Sequence, residues 1–142
     1  EVANNTHRFF INKLPEILAF AGCHEDVLLS GRDFSEPKVN SSKKNSAETI
    51  VFRVDSARIM LDSVKDAQYS MDKTYRKIIQ LCYLSNLRNF EIAGRLGYSE
   101  RTINNYKPIA LKTFAVRFVA MQLSNGIDEK HVFDLTKTKE VA

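Results

Sequence analysis

Tryptophan is absent from this chain, and cysteine, proline and glycine are scarce, at two, three and five in 142 residues. The two cysteines, Cys23 and Cys82, lie far apart and show no pairing pattern, which argues against a disulfide framework and agrees with a reducing compartment. Cys82 falls on the apolar face of a predicted helix, where a thiol behaves as a small hydrophobe. His7, His24 and His131 are scattered, and the Cys23–His24 pair is adjacent rather than at ligand spacing, so no metal is expected. No glycine-rich phosphate loop, GxSxG elbow or HExxH helix occurs, so no catalytic centre and no cofactor are expected. An enzyme is the least favoured class. No apolar run approaches the ~18 residues of a membrane span. The first residues lack a basic start followed by an apolar stretch, so no secretory signal is expected.

Enough apolar residues are present, 44%, to build a core. A globular chain of this size buries roughly two thirds of its unfolded surface. The charge is unevenly spread. Residues 1–70 carry nine basic and ten acidic side chains, residues 71–117 nine and three, and residues 118–142 three and four. A net of +6 thus sits in the middle segment of a chain whose total is +4. Such a patch is the footprint of a phosphate-binding module, or an ordinary solvated surface.

Apolar spacing predicts an all-α fold. Phe10, Leu14, Ile17, Leu18 and Ala21 mark a first helix over 4–21, with Thr6 as a cap and Gly22 as a stop. Pro15 predicts a kink or a second piece there. Residues 22–46 are punctuated by Gly22, Gly31 and Pro37 and read as a linker, longer than most connections inside a domain. A second helix is predicted over 47–67 behind a Ser46 cap. Its Ile50, Val54, Ala57, Leu61 and Val64 recur at alternating steps of four and three, which suits a core stripe or a self-association seam. Ser70 is expected to cap a third helix, Met71–Leu84, whose Lys73, Arg76 and Lys77 face away from its apolar side.

The stretch 89–118 then reads as a helix-turn-helix. A short helix Asn89–Leu96 ends at Gly97, whose lack of Cβ admits the left-handed turn. Ser99 caps a long helix running to about Leu123, and Asn125–Gly126 end it. Ile92, Leu96, Tyr98, Ile103 and Tyr106 supply the small core. Pro108 falls inside the long helix, yet the apolar period of Ile103, Tyr106, Ala110, Phe114 and Phe118 runs through it, predicting continuity with a bend. The chain divides into 1–45, an N-terminal helix and linker; 46–126, a helical DNA-binding domain; and 127–142, a tail that docks through Val132, Phe133 and Leu135 and frays over its last six residues.

Readers of this kind present the first turns of the second helix to base edges in the major groove. Arg grips guanine O6 and N7, and Asn grips adenine N6 and N7. Arg101, Asn104 and Asn105 are therefore the expected base readers. Glu100 either accepts from cytosine N4 or favours the helix N-terminus through the dipole. Phosphate positioning is expected from Ser99, Thr102, Arg88, Arg95, Lys107 and Lys112.

The residues YRKIIQLCYL and NFEIAGRLGYSERTINNYKPIALKTFA resemble region 4 of sigma-70-type factors and the sigma-like helix-turn-helix regulators. More narrowly, the chain is similar to the ArpU family of phage late regulators of packaging and lysis. That likeness rests on overall length, a first helix ending in Ala21–Gly22, the segment SEPKVNSSKKNSAETIVFRVDS and the GYSERT turn. It implies a phage- or prophage-encoded protein in the bacterial cytoplasm that binds a promoter and activates late genes by recruiting host RNA polymerase or sigma factor. By matched position it makes Ser99, Glu100, Arg101, Thr102, Asn104 and Asn105 the DNA-reading residues; Pro108 departs from the pattern. The alternatives are a phage DNA-packaging recognition subunit and a module that binds polymerase or sigma without DNA. A homodimer is a separate expectation, motivated by the Ile50–Val64 stripe and the long apolar last helix.

Overall fold

The computed structural model describes residues 1–22, Leu28 and 45–137, with 45–55 described by their backbone alone. Among these residues every regular element is helical: α1 (Val2–Arg8), α2 (Leu14–Ala21), α3 (Asn45–Tyr69), α4 (Lys73–Ile79), α5 (Asn89–Leu96) and α6 (Glu100–Ser124). The all-α expectation is met. π-turns at Phe9–Lys13 and Gln80–Leu84 extend α1 into α2 and lengthen α4, and a 3₁₀ turn, Glu129–His131, starts the tail.

Local chemistry explains the ends, with several corrections to the sequence reading. The first helix starts at Val2, so Thr6 is no cap; it is buried, and its hydroxyl donates to the Val2 carbonyl at 2.9 Å. Pro15 opens a second helical piece, α2, one of the two outcomes its position predicts. The widened π-turn ends at Lys13, leaving Pro15 in the first turn of α2, where its missing N–H is tolerated. Gly22 closes α2 at φ +69°, as expected. α3 begins at Asn45, so Ser46 lies inside its first turn rather than capping it. Ser70 belongs to the end of α3, its hydroxyl donating to the Ala67 carbonyl at 2.8 Å, and α4 starts three residues later, with Asp72 at its N-cap position. The linker read over 22–46 lies outside the described residues apart from its ends and Leu28, which is buried in the core.

Two apolar clusters hold the chain. The larger joins Phe9, Phe10, Leu14, Ile17 and Leu18 of the N-terminal rod to Leu61 and Val64 of α3 and to Leu111, Phe114 and Phe118 of α6. Its aromatic centre is Phe9, whose ring lies 5.0 Å from Phe118 and 5.4 Å from Phe133, while Phe114 and Phe118 stack at 5.3 Å. Rings offset at such distances add to the area they bury, and truncating one costs about 3–5 kcal/mol. Ala57, Leu61 and Val64 are all buried here, so the described part of the α3 stripe is core. The side chains of Ile50 and Val54 lie outside the described residues.

The smaller cluster is Ile78 of α4, Ile92 and Ala93 of α5 and Ile103 of α6, with Leu81, Cys82, Leu87, Leu96 and Tyr106 packed against it. α6 serves both clusters: Ile103 sits in the small one and Ala110 to Phe118 in the large one. Its 25 residues run unbroken through Pro108, about 37 Å in length. The tail returns along α6 and α1, where Leu135 is buried and Asn5 Nδ2 donates to the Leu135 and Lys137 carbonyls at 3.3 and 2.9 Å. The expected fraying lies mostly outside the described residues.

Candidate nucleic-acid interface

α5 and the first turns of α6 are positioned by short-range bonds. Glu91 Oε1 accepts from the Arg88 backbone N–H at 3.0 Å and ties down the entry to α5. At the other end Gly97 takes φ +77°, and the Ala93 carbonyl accepts from both Gly97 and Tyr98 N–H at 2.9 and 3.0 Å. That closes α5 and turns the chain within two residues. Ser99 has extended backbone, and its Oγ accepts from the Thr102 N–H at 3.1 Å, so α6 starts with one of its orphan donors satisfied.

With Ile103 fully buried, the rest of the first turns is fixed in rotation. Glu100, Arg101, Asn104 and Asn105 are all exposed. Arg101, Asn105, Pro108 and Lys112 follow one another at helical spacing along the side of α6 opposite Ile103, and all four are exposed. Arg88 and Arg95 of α5 are exposed as well. Ser99 is exposed and Thr102 half-buried, and their hydroxyls face each other at 3.0 Å, committing the pair partly to the cap.

Two of the expected residues are engaged elsewhere. Lys107 is half-buried, and its Nζ lies 5.7 Å from the Tyr83 ring, which draws it away from the Arg101 stripe. Asn104 Oδ1 accepts from Asn89 Nδ2 at 2.6 Å, linking the first residue of α5 to α6. Asn89 was not among the sequence-derived candidates; only the crossing of the two helices brings it there. Tyr98, expected in the small core, is 40% exposed and packs edge-on against Tyr106 at 5.8 Å. It lies on the turn, beyond the point where α5 and α6 close over Ile92.

The electrostatics follow from composition. Among the described residues, none of the nine basic side chains of 71–117 forms an ion pair with a carboxylate. Arg76 lies over the Tyr69 ring at 4.9 Å, and Arg117 Nε donates to Ser70 Oγ at 2.8 Å, contacts that leave the positive charge unneutralised. All three acidic groups are at helix starts: Asp72 stands at the N-cap of α4, Glu91 holds the Arg88 N–H, and Glu100 opens α6.

Other features of the surface lie apart from this region. Grooves of about 730 and 450 Å³ open beside α1 and α2, and neither touches α5 or the first half of α6. Among the described residues no group of three or more metal-ligand side chains gathers, and no helix is long and apolar enough to cross a membrane. No family model, characterised protein or solved structure matches the chain.

Proposed function

We propose that this protein is a sequence-specific, double-stranded DNA-binding transcriptional regulator that lays the start of α6 in the major groove. The observation that carries the proposal is the stripe of Arg101, Asn105 and Lys112, exposed and without ion pairs among the described residues, on a capped helix whose rotation Ile103 fixes. Arg101, Asn104 and Asn105 read base edges, and Glu100 stands beside them. Ser99, Thr102, Arg88, Arg95 and Lys112 hold phosphates, with Lys107 reaching the backbone once it leaves Tyr83. The likeness to the ArpU family extends the proposal to activation of phage late genes in the bacterial cytoplasm, by recruiting host RNA polymerase.

A homodimer is the second part of the proposal. The described α3 stripe is used up in the core, so the seam lies on the outer side of α6. There Ile109, Val116 and Leu123 recur at seven-residue intervals and are 45%, 59% and 44% exposed.

Selection from a pool of randomised duplexes tests the reading. The protein is expected to enrich a defined sequence, and Arg101→Ala with Asn105→Ala is expected to abolish the enrichment while circular dichroism stays unchanged. Enrichment that survives both substitutions would overturn it.

A further inference from the structure

The bond between Asn89 and Asn104 bears on what the interface recognises, and its consequence rests on the DNA-binding reading. An asparagine that grips adenine bidentately accepts from N6 through Oδ1 and donates to N7 through Nδ2. In this protein Asn104 Oδ1 is turned back onto α5, 2.6 Å from Asn89 Nδ2. Asn104 is exposed, so its Nδ2 is the half of the amide left facing solvent. Asn89 is half-buried at the first position of α5, whose start is tied down by the Glu91 bond to Arg88.

We infer that Asn89 is a specificity-determining positioning residue: by holding Oδ1, it makes Asn104 a hydrogen-bond donor to purine N7 rather than a bidentate reader of adenine. Adenine and guanine both present N7 in the major groove, and only adenine adds the N6 donor. The wild-type protein therefore accepts either purine at the base pair that Asn104 faces. Asn89 touches no DNA in this account; it acts through the orientation of its neighbour's amide.

The orientation can be reset in two directions. Asn89→Ala frees Oδ1 and restores the adenine grip. Asn89→Asp offers only acceptors, so Asn104 turns Nδ2 inward and shows Oδ1 to the groove, where it favours a base with an exocyclic amine, adenine or cytosine.

The test is duplex selection with wild type, Asn104→Ala, Asn89→Ala and Asn89→Asp, followed by binding curves on four duplexes that differ only at the pair whose preference Asn104→Ala removes. Wild type is expected to bind the adenine and guanine duplexes within about threefold of one another. Asn89→Ala is expected to favour adenine over guanine on the order of tenfold, and Asn89→Asp to favour adenine and cytosine over guanine. The salt dependence of binding is expected to stay unchanged in both, which a merely structural loss of the helix crossing would not give. If wild type enriches no sequence, the DNA-binding reading itself falls. If wild type enriches one but Asn104→Ala alters no position, or both Asn89 variants keep the wild-type purine preference, the inference is overturned and the DNA-binding reading stands.

Discussion

Gln122 holds the backbone of Phe133 from both sides. Its Oε1 accepts from the Phe133 N–H at 2.8 Å, and its Nε2 donates to the Phe133 carbonyl at 2.9 Å. The side chain is fully buried, and Nε2 also reaches the Phe118 carbonyl at 3.2 Å. A single amide thus replaces the partner strand that the tail lacks, and it sets the Phe133 ring against Phe9. Removing one side of a buried hydrogen bond costs about 1–3 kcal/mol, because the other side stays desolvated. Gln122→Ala is expected to lower the free energy of unfolding by about 2–3 kcal/mol, measured by urea titration. A midpoint that stays where it was would mean that the Gln122 bonds to Phe133 contribute nothing to stability.

Tyr83 is expected to make the fold sensitive to alkali. Its ring stacks on Phe10 at 4.7 Å, and its hydroxyl meets His7 Nδ1 at 2.6 Å. Burial, with a smaller contribution from Cys82, pushes the phenol above its ordinary range. A raised folded-state value means that the folded protein favours the neutral phenol. The contribution is therefore fully present below about pH 10, where free tyrosine starts to ionise, and declines as pH rises beyond it. Denaturant titrations between pH 8 and 11 are expected to show stability falling at the upper end. Tyr83→Phe is expected to start lower, having lost the His7 bond, but to fall less steeply. Parallel curves for the two proteins would assign the alkaline loss to other groups.

What the sequence made legible is what short-range chemistry decides. Asn89–Leu96 is the element expected, Gly97 takes the left-handed turn, and Ser99 caps α6, because each depends on neighbours within four residues. Pro108 within an unbroken helix was legible from the apolar period on both sides of it. The caps at Thr6, Ser46 and Ser70 went astray for one reason: a hydroxyl near a helix start serves equally well inside or behind a helix, and packing chooses. Both π-turns were invisible, since a one-residue widening leaves the apolar stripe intact. The pairs Asn89–Asn104, Lys107–Tyr83 and Gln122–Phe133 were hidden because each needs two helices, or a helix and the tail, to be in place first. Arg101, Asn104 and Asn105, expected as base readers, and Lys112, expected at phosphates, are all exposed, but that Arg101, Asn105 and Lys112 line one side of α6 emerges only with the helix in place.

Salt dependence separates phosphate contacts from base contacts. Each phosphate neutralised adds roughly 0.9 to the slope of log affinity against log salt. Lys112→Ala and Arg95→Ala are each expected to lower that slope by about one and to weaken all duplexes alike. Asn105→Ala is expected to leave the slope and reduce discrimination. Fluorescence anisotropy across a salt series would show it, and an unaltered slope for Lys112→Ala would remove that residue from the phosphate set.

Val116 is the centre of the proposed dimer seam on α6, seven residues from Ile109 and seven from Leu123. Being 59% exposed, it adds little to the fold of a single chain. Val116→Glu is expected to change the stability of the monomer by no more than about 0.5 kcal/mol. A charge at the middle of a helix seam opposes pairing, so light scattering on the same variant is expected to show loss of any self-association. Wild type that scatters as a monomer at tens of micromolar, free and on DNA, would dispose of the seam.

Pro108 sits where α6 passes from one core to the other, between Ile103 in the small cluster and Ala110 in the large one. It lacks the N–H that would bond to the Asn104 carbonyl, and its ring crowds that turn. Because it is exposed, Pro108 is expected to bend α6 convex toward solvent, which would let both halves reach their clusters. Pro108→Ala restores the bond and removes the crowding, so thermal unfolding is expected to show a gain of roughly 1–3 kcal/mol. A straighter α6 also tilts Arg101 and Asn105 relative to Lys112, which share its outer face. DNA affinity is therefore expected to fall severalfold as stability rises. If both rise together, the bend is a cost that the interface does not use, and Pro108 has no part in recognition.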